Sequence, residues 1–461
     1  MTENPADLTA VELIAHYREK ALSPVEVIDA VIARVEELEP KLAATYAFDP
    51  TAAREAAGGS EARWRRGEPA GPLDGVPVTV KENIATRGTP VPQGTAATEL
   101  IPAIEDAPAA ARLRAAGAVI FTKTTMPEYG MLSSGVSSFH PLTRNPWDLT
   151  KTAGGSSAGA AAAAAAGYGP IHLGTDIGGS IRLPAGWCGV VGLKPTHGRV
   201  AVGTPYPGRA IGPIARTAAD AALTLDVLSG PDRRDPTSLP PLPASTTSTL
   251  VIDNLRIGLL LDAGLGLPVD SEIAAAVSAA ASALEAAGAT IDPIPPIIDR
   301  TMLDGLDRFW RTRSAFDIAA LPEDRRAKVL PEIRRWVSTA ADLTPFDVFH
   351  GYSQMQVMAT AVDTAFADYD FLISPVAPIS AFQAELAYPT NDPLKPFEHI
   401  AFTVPYNMSA HPALSVNCGW TTTGLPIGLQ IAAPRFADHA ALTLAAFIAE
   451  HTPTRVPPLA G

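Results

Sequence analysis

Apolar positions recur along the chain at two periods. After Ser23-Pro-Val-Glu-Val, the residues Val25, Val27, Ile28, Val31, Ile32 and Val35 fall on one helical face, with Ser23 as N-cap, Pro24 at the first helical position and Glu26 two residues after Pro24. This is the second of two helices predicted over 7–39. Further helical patterns cover 51–66, 105–117, 158–166, 271–287, 301–317, 345–368 and 437–450. Short apolar runs predict strands at Val76–Val80, Ala118–Thr122, Ile171–Gly174, Val190–Leu193, Arg256–Leu261, Thr290–Ile294, Phe371–Ser374, Ala413–Val416 and Pro426–Ile431. Strands alternating with helices predict an α/β fold: one large domain with a mixed, mostly buried β-sheet covered by helices on both faces. No internal repeat or domain break interrupts it. Residues 1–70 read as an N-terminal helical segment, 71–230 as the core, 231–249 as a proline- and serine/threonine-rich surface connection, and 250–461 as the remainder of the sheet with the C-terminal helices. The pair Phe309–Trp310 reads first as core packing and second as the rim of an entrance.

Composition narrows the class. The chain has 461 residues, 47% hydrophobic and 18% charged, as a folded globular protein does. Its net charge of −13 argues against nucleic acid or an anionic membrane as the main partner. The cysteines, Cys188 and Cys418, have neither zinc-ligand spacing nor a disulfide pattern, which suits a reducing cytoplasm. No secretory leader is read in Met1–Asp7, and the longest apolar run, Ala158–Ala166, is too short to span a membrane. The nine histidines are scattered and no HExxH occurs, so neither a metal nor another cofactor is expected.

The candidate chemistry lies in three segments. Gly154-Gly-Ser-Ser-Ala-Gly159 and Gly174-Thr-Asp-Ile-Gly-Gly-Ser-Ile-Arg182 set Ser156 and Ser180 among glycines, and Gly75-Val-Pro-Val-Thr-Val-Lys-Glu-Asn83 ends an apolar strand on Lys81. Taken singly, Ser180 is a turn residue, Ser156 a helix cap and Lys81 a lysine snorkelling to water. Taken together they point to acyl transfer by a Ser–Ser–Lys relay, because serine needs a base and a buried lysine loses its proton readily. Consecutive glycines let several amides face one point, so the N–H groups of Ile177, Gly178, Gly179 and Ser180 are the candidate oxyanion donors. Gly155-x-Ser157-x-Gly159 also matches a nucleophile elbow, which would make Ser157 the nucleophile of a Ser-His-Asp esterase. That motif requires a buried strand before it, and 146–153 does not read as one.

These segments, with Cys188-Gly-Val-Val-Gly-Leu-Lys-Pro-Thr-His-Gly-Arg199 and Gly424-Leu-Pro-Ile-Gly-Leu-Gln430, resemble the amidase signature hydrolases from about residue 23 to the C-terminus. The resemblance implies that Ser180 is the nucleophile, Ser156 the bridging serine behind a cis Gly155–Ser156 bond, and Lys81 the base of a catalytic core at 71–230. It implies that Ser157, Asp176 and Arg182 hold the loops, that Gly130 in Tyr129–Ser134 makes a backbone contact to substrate, and that Met131 and Leu132 add apolar contacts. Ala158 and Glu82 depart from residues frequent in the family, glycine and aspartate, without removing a catalytic atom. The implied activity is cleavage of small apolar or aryl amides, with esters and carbamates beside them, by a monomer or homodimer. A glutamine-amidase subunit of a tRNA-dependent amidotransferase is the alternative within the family.

Overall fold

The computed structural model describes residues 4–241 and 250–459. Among the described residues thirteen strands form: β1 Thr45–Tyr46, β2 Pro77–Lys81, β3 Val119–Thr124, β4 Arg144–Asn145, β5 Asp148–Thr152, β6 Ile171–Asp176, β7 Val191–Lys194, β8 Ala210–Ala215, β9 Arg256–Leu259, β10 Thr290–Pro293, β11 Phe371–Pro375, β12 Ala413–Trp420 and β13 Pro426–Ala432. Eleven of them make one sheet in the order β1-β3-β2-β6-β8-β7-β12-β13-β11-β9-β10, while β4 and β5 pair only with each other. The sheet is mixed: β3, β2 and β6 are parallel at one end and β11, β9 and β10 at the other, with antiparallel pairs between. The single-domain α/β expectation therefore holds.

Helices cover both faces because the strands alternate. Val78, Val80, Ile171, Leu173, Leu429 and Ile431 pack on one face against Leu113, Leu225, Leu284 and Ile448 of covering helices. The opposite face receives helix Pro24–Leu42, the alanine helix Ala158–Ala165 and helix Arg182–Cys188. Ser23 caps its helix with the expected reciprocal pair: its hydroxyl accepts from the Glu26 amide at 3.2 Å, and the Glu26 carboxylate accepts from the Ser23 amide at 2.8 Å. The alanine helix is buried along its whole length. Ala158 is its first residue and has an ordinary helical backbone, so the position asks for no glycine.

The parallel β9–helix–β10 unit stands as predicted, with helix Ser271–Ala286 between the strands. The proline-rich connection is mostly exposed over 231–241, and its remainder, 242–249, lies outside the described residues. Strand β5 belongs to a partly exposed two-stranded hairpin rather than to the sheet, so the buried strand that an elbow needs is not found at 146–153.

Candidate active site

Lys81 is the last residue of β2. Alternation turns it with Thr79 away from the Val78/Val80 face, toward the side where the serine loops lie. It is fully buried. Its Nζ lies within hydrogen-bond distance of Ser156 Oγ at 2.8 Å, Thr175 Oγ1 at 2.9 Å and Ser157 Oγ at 3.1 Å. Burial pulls its pKa from the usual lysine range down to about 7; the Asp176 and Glu82 carboxylates pull upward, and Arg209 adds to the fall. Two other buried lysines behave differently. Burial brings Lys194 to about 7 and Lys123 to about 8, but their amines donate to the carbonyls of Pro195 and Ile84. Lys81 is the one whose amine meets serines.

Ser156 follows a cis Gly155–Ser156 peptide bond, as the resemblance implies. Its neighbour Ser157 is fully committed: the hydroxyl donates to the Thr175 carbonyl at 3.2 Å, so its oxygen is left to accept from Lys81 and from the Thr175 amide at 3.3 Å. This close approach depends on Gly174, where a Cβ would lie 2.8 Å from Ser157 Oγ. Among the described residues no histidine hydrogen-bonds either serine; His172 in the neighbouring strand bonds Thr79 and the Gly169 carbonyl instead.

Ser180 is half-buried in the same cleft as Ser156, and its carbonyl accepts from the Ser157 amide at 3.0 Å. No hydrogen bond joins the two hydroxyls of Ser156 and Ser180 among the described residues. The turn before Ser180 is held by Asp176. The Arg182 guanidinium donates to both Asp176 oxygens at 3.0 Å, and Asp176 also accepts from Gly179, Ile181 and Asn407. Burial alone would raise the Asp176 carboxyl, but Arg182 and these hydrogen bonds hold it well below the usual carboxylate range. Arg182 reaches on to the Thr403 carbonyl, Gln430 and Asn407. One of the four expected oxyanion donors is therefore already engaged. The Gly179 amide is taken by Asp176 at 2.8 Å. The amides of Ile177, Gly178 and Ser180 are left with no protein acceptor among the described residues. An aspartate side chain binding the amide three residues on is a local pattern, and Asp176-Ile-Gly-Gly carries that signal in the sequence.

The cleft holds about 800 Å³ of empty space when the open solvent at its mouth is counted. Gly130, Met131 and Leu132 line it. So does Trp310, whose ring edge reaches over Gly178 while the ring packs in the core on Phe397, so it fits both readings; Phe309 turns away to pack on Tyr352. Sequence reasoning missed Thr175 and Asn83, which meet at 3.1 Å beside Lys81, and Arg209 and Arg313, which bring two cations into the cleft.

Comparison with known proteins fits this geometry. The family model described as Amidase matches residues 26–442. A glutamyl-tRNA(Gln) amidotransferase subunit from Anaeromyxobacter sp. (strain K) is 37% identical, over 93% of this chain and 92% of its own length. Its counterpart from Halothermothrix orenii is 35% identical over 94% of each. Among solved structures, a bacterial aryl acylamidase of the amidase signature family superposes with a TM-score of 0.88 at 30% identity, covering 96% of each chain. A 6-aminohexanoate cyclic dimer hydrolase gives 0.89 at 29% identity, covering 100% of each. The chain therefore belongs to the amidase signature family and is a hydrolase of amide carbon–nitrogen bonds.

Proposed function

We propose that this amidase works through a Ser180–Ser156–Lys81 relay on small amides, with esters and carbamates as further substrates. The observation that carries the reading is the set of contacts at the Lys81 amine. A neutral amine has two N–H donors and one lone pair. Ser157 Oγ, whose proton points at the Thr175 carbonyl, takes one donor, and Thr175 Oγ1, which also accepts from Asn83, takes the other. The lone pair then faces Ser156 at 2.8 Å. Lys81 draws the Ser156 proton as Ser156 draws that of Ser180, and Ser180 attacks the carbonyl. The free amides of Ile177, Gly178 and Ser180 face the developing oxyanion. The proton returns through Ser156 to the leaving nitrogen, which departs as a neutral amine. Water then cleaves the Ser180 ester by the same route, giving the carboxylic acid and the free enzyme.

Mass-spectrometric trapping of an acyl group on a 4-nitroanilide substrate tests the assignment. The adduct is expected on Ser180; an adduct on Ser157 would establish the esterase-type mechanism instead.

The curated relatives give a second reading its own support, since they are named as amidotransferase subunits. In that reading the chain releases ammonia from glutamine for partner subunits. Turnover of a simple anilide by the purified chain, with glutamine left intact, favours the free-standing amidase; glutaminase activity that appears only with partner subunits favours the other. No helix among the described residues is long and apolar enough to cross a membrane. The two reduced cysteines suit the proposed cytoplasmic site.

A further inference from the structure

Resting on that reading, the structure assigns the cleft a carboxylate subsite built by Arg209 and Arg313, so that the preferred amides carry a free acid group. Both guanidinium groups approach the ring of Tyr206, Arg313 at 4.7 Å and Arg209 at 5.5 Å from its centroid. Both side chains line the cleft that holds Ser156 and Ser180. Neither has a close carboxylate partner among the described residues. Among the described residues Arg209 has no carboxylate within salt-bridge distance and donates to the Thr204 carbonyl at 3.2 Å. Arg313 has only the exposed Asp317, at 3.9 Å. Burial, and then the charge of Arg313, depress the Arg209 pKa, while Tyr206 and Asp317 pull it upward.

A second observation points the same way. Helix Arg300–Ala319 presents Trp310, Arg313 and Ser314 on one face toward the cleft. Trp310 Nε1, Arg313 Nε and Ser314 Oγ on that face are buried and have no hydrogen-bond partner. Ser314 is fully buried and Trp310 is 7% exposed. Leaving buried donors unpaired is costly, so unpaired donors on the helix that carries Arg313 fit an acceptor-rich anion that arrives with the substrate. The carboxylate lining this cleft, Asp176, is spent on Arg182 and offers nothing to a substrate ammonium. In a chain of net charge −13 this is a local reversal of sign, which concentrates anions where the chemistry occurs. The class that fits is a monoamide of a dicarboxylic acid, or an acylated amino acid, with no free ammonium.

The test pairs acids with neutral partners on the native protein: glutaryl against pentanoyl 4-nitroanilide for an acid on the acyl side, and 4-acetamidobenzoate against acetanilide for one on the amine side. γ-Glutamyl 4-nitroanilide adds the ammonium. At least one acid is expected to exceed its neutral partner in kcat/KM by about tenfold or more, and γ-glutamyl to fall below glutaryl. In Arg313→Gln and Arg209→Gln that ratio is expected to collapse toward one. Equal rates for acids and neutrals, or a preference that survives both substitutions, would overturn the subsite. Calorimetry with glutarate gives a readout without turnover, with binding weakened about tenfold or more by Arg313→Gln. Glutarate binding without cleavage of any anilide would leave the subsite standing and remove the free-standing small-amide reading of the cleft. Cleavage of neutral anilides without acid preference or glutarate binding would do the reverse.

Discussion

At the scale of single residues, the two serines that follow Gly155 are chemically alike and differently employed. Ser157 has its proton and lone pairs taken up by Thr175 and Lys81, whereas Ser156 meets only the amine. Ser180→Ala is expected to lower 4-nitroanilide hydrolysis by on the order of 10⁴-fold or more and to abolish fluorophosphonate labelling. Ser157→Ala should lower the rate less and keep the label; the opposite pattern would reverse the assignment. Lys81 must be neutral to accept a proton. Its pKa of about 7 in the free enzyme therefore predicts a kcat/KM that rises with pH through about 7 and then levels off, and Lys81→Ala should remove this limb with its largest loss near neutrality. A pH–rate profile checks both statements. These residues were legible because each sits in a local signal, a strand end or a glycine loop. The direction of the Lys81 lone pair was not, since Thr175 reaches Lys81 only when β6 lies beside β2.

At the scale of elements, the Asp176–Arg182 pair joins the end of β6 to the start of the next helix, and ties both to Thr403, Asn407 and Gln430. Both partners are fully buried. Arg182→Met is expected to cost about 3–5 kcal/mol, because Asp176 would be left charged and buried; urea titration measures it. The Asp176 carboxyl is depressed in the folded state. Its stabilising contribution is therefore complete above the unfolded carboxyl pKa of about 4 and is lost as pH falls below that toward the folded value. Titrations of native protein and Asp176→Asn at pH 6 and pH 3 should show the variant's deficit shrinking at the lower pH. The sequence reading missed β8, Ala210-Ile-Gly-Pro-Ile-Ala215, for a physical reason. A proline within a run argues against a central strand. Here Pro213 stands opposite Leu173 of β6, while β7 pairs with β8 only at Ile214 and Ala215, so the proline falls where one ladder has already ended. Helix Arg182–Cys188 was hidden in the same way, by Pro184 and Gly186, and it begins where Asp176 collects Ile181 and Arg182.

At the scale of the whole molecule, the sheet joins two blocks of chain. Strands β1 to β8, omitting the separate hairpin, form one side; β9 to β13 form the other; they meet only where β7 pairs with β12 over Ala413–Ser415. Lys81, Ser156 and Ser180 all come from the first block, while Trp310 and Arg313 come from the second. The cleft thus lies between a block that carries the proposed chemistry with part of the substrate lining, Gly130 to Leu132 and Arg209, and a block that completes that lining. Alternation made each block visible in the sequence, but the seam depends on pairings between residues far apart along the chain. Leu414 is fully buried, opposite Leu193 in that seam, and packs into the core on the face away from the cleft. Leu414→Ala is expected to cost about 2–5 kcal/mol. Because Arg182 of the first block also grips Thr403, Asn407 and Gln430 of the second, the loss should be shared by both blocks. Urea unfolding followed by far-ultraviolet circular dichroism and by fluorophosphonate labelling of the cleft should give coincident midpoints, shifted down together in the variant. A labelling midpoint that stays in place while the dichroism midpoint falls would mean that the first block holds the relay without its neighbour.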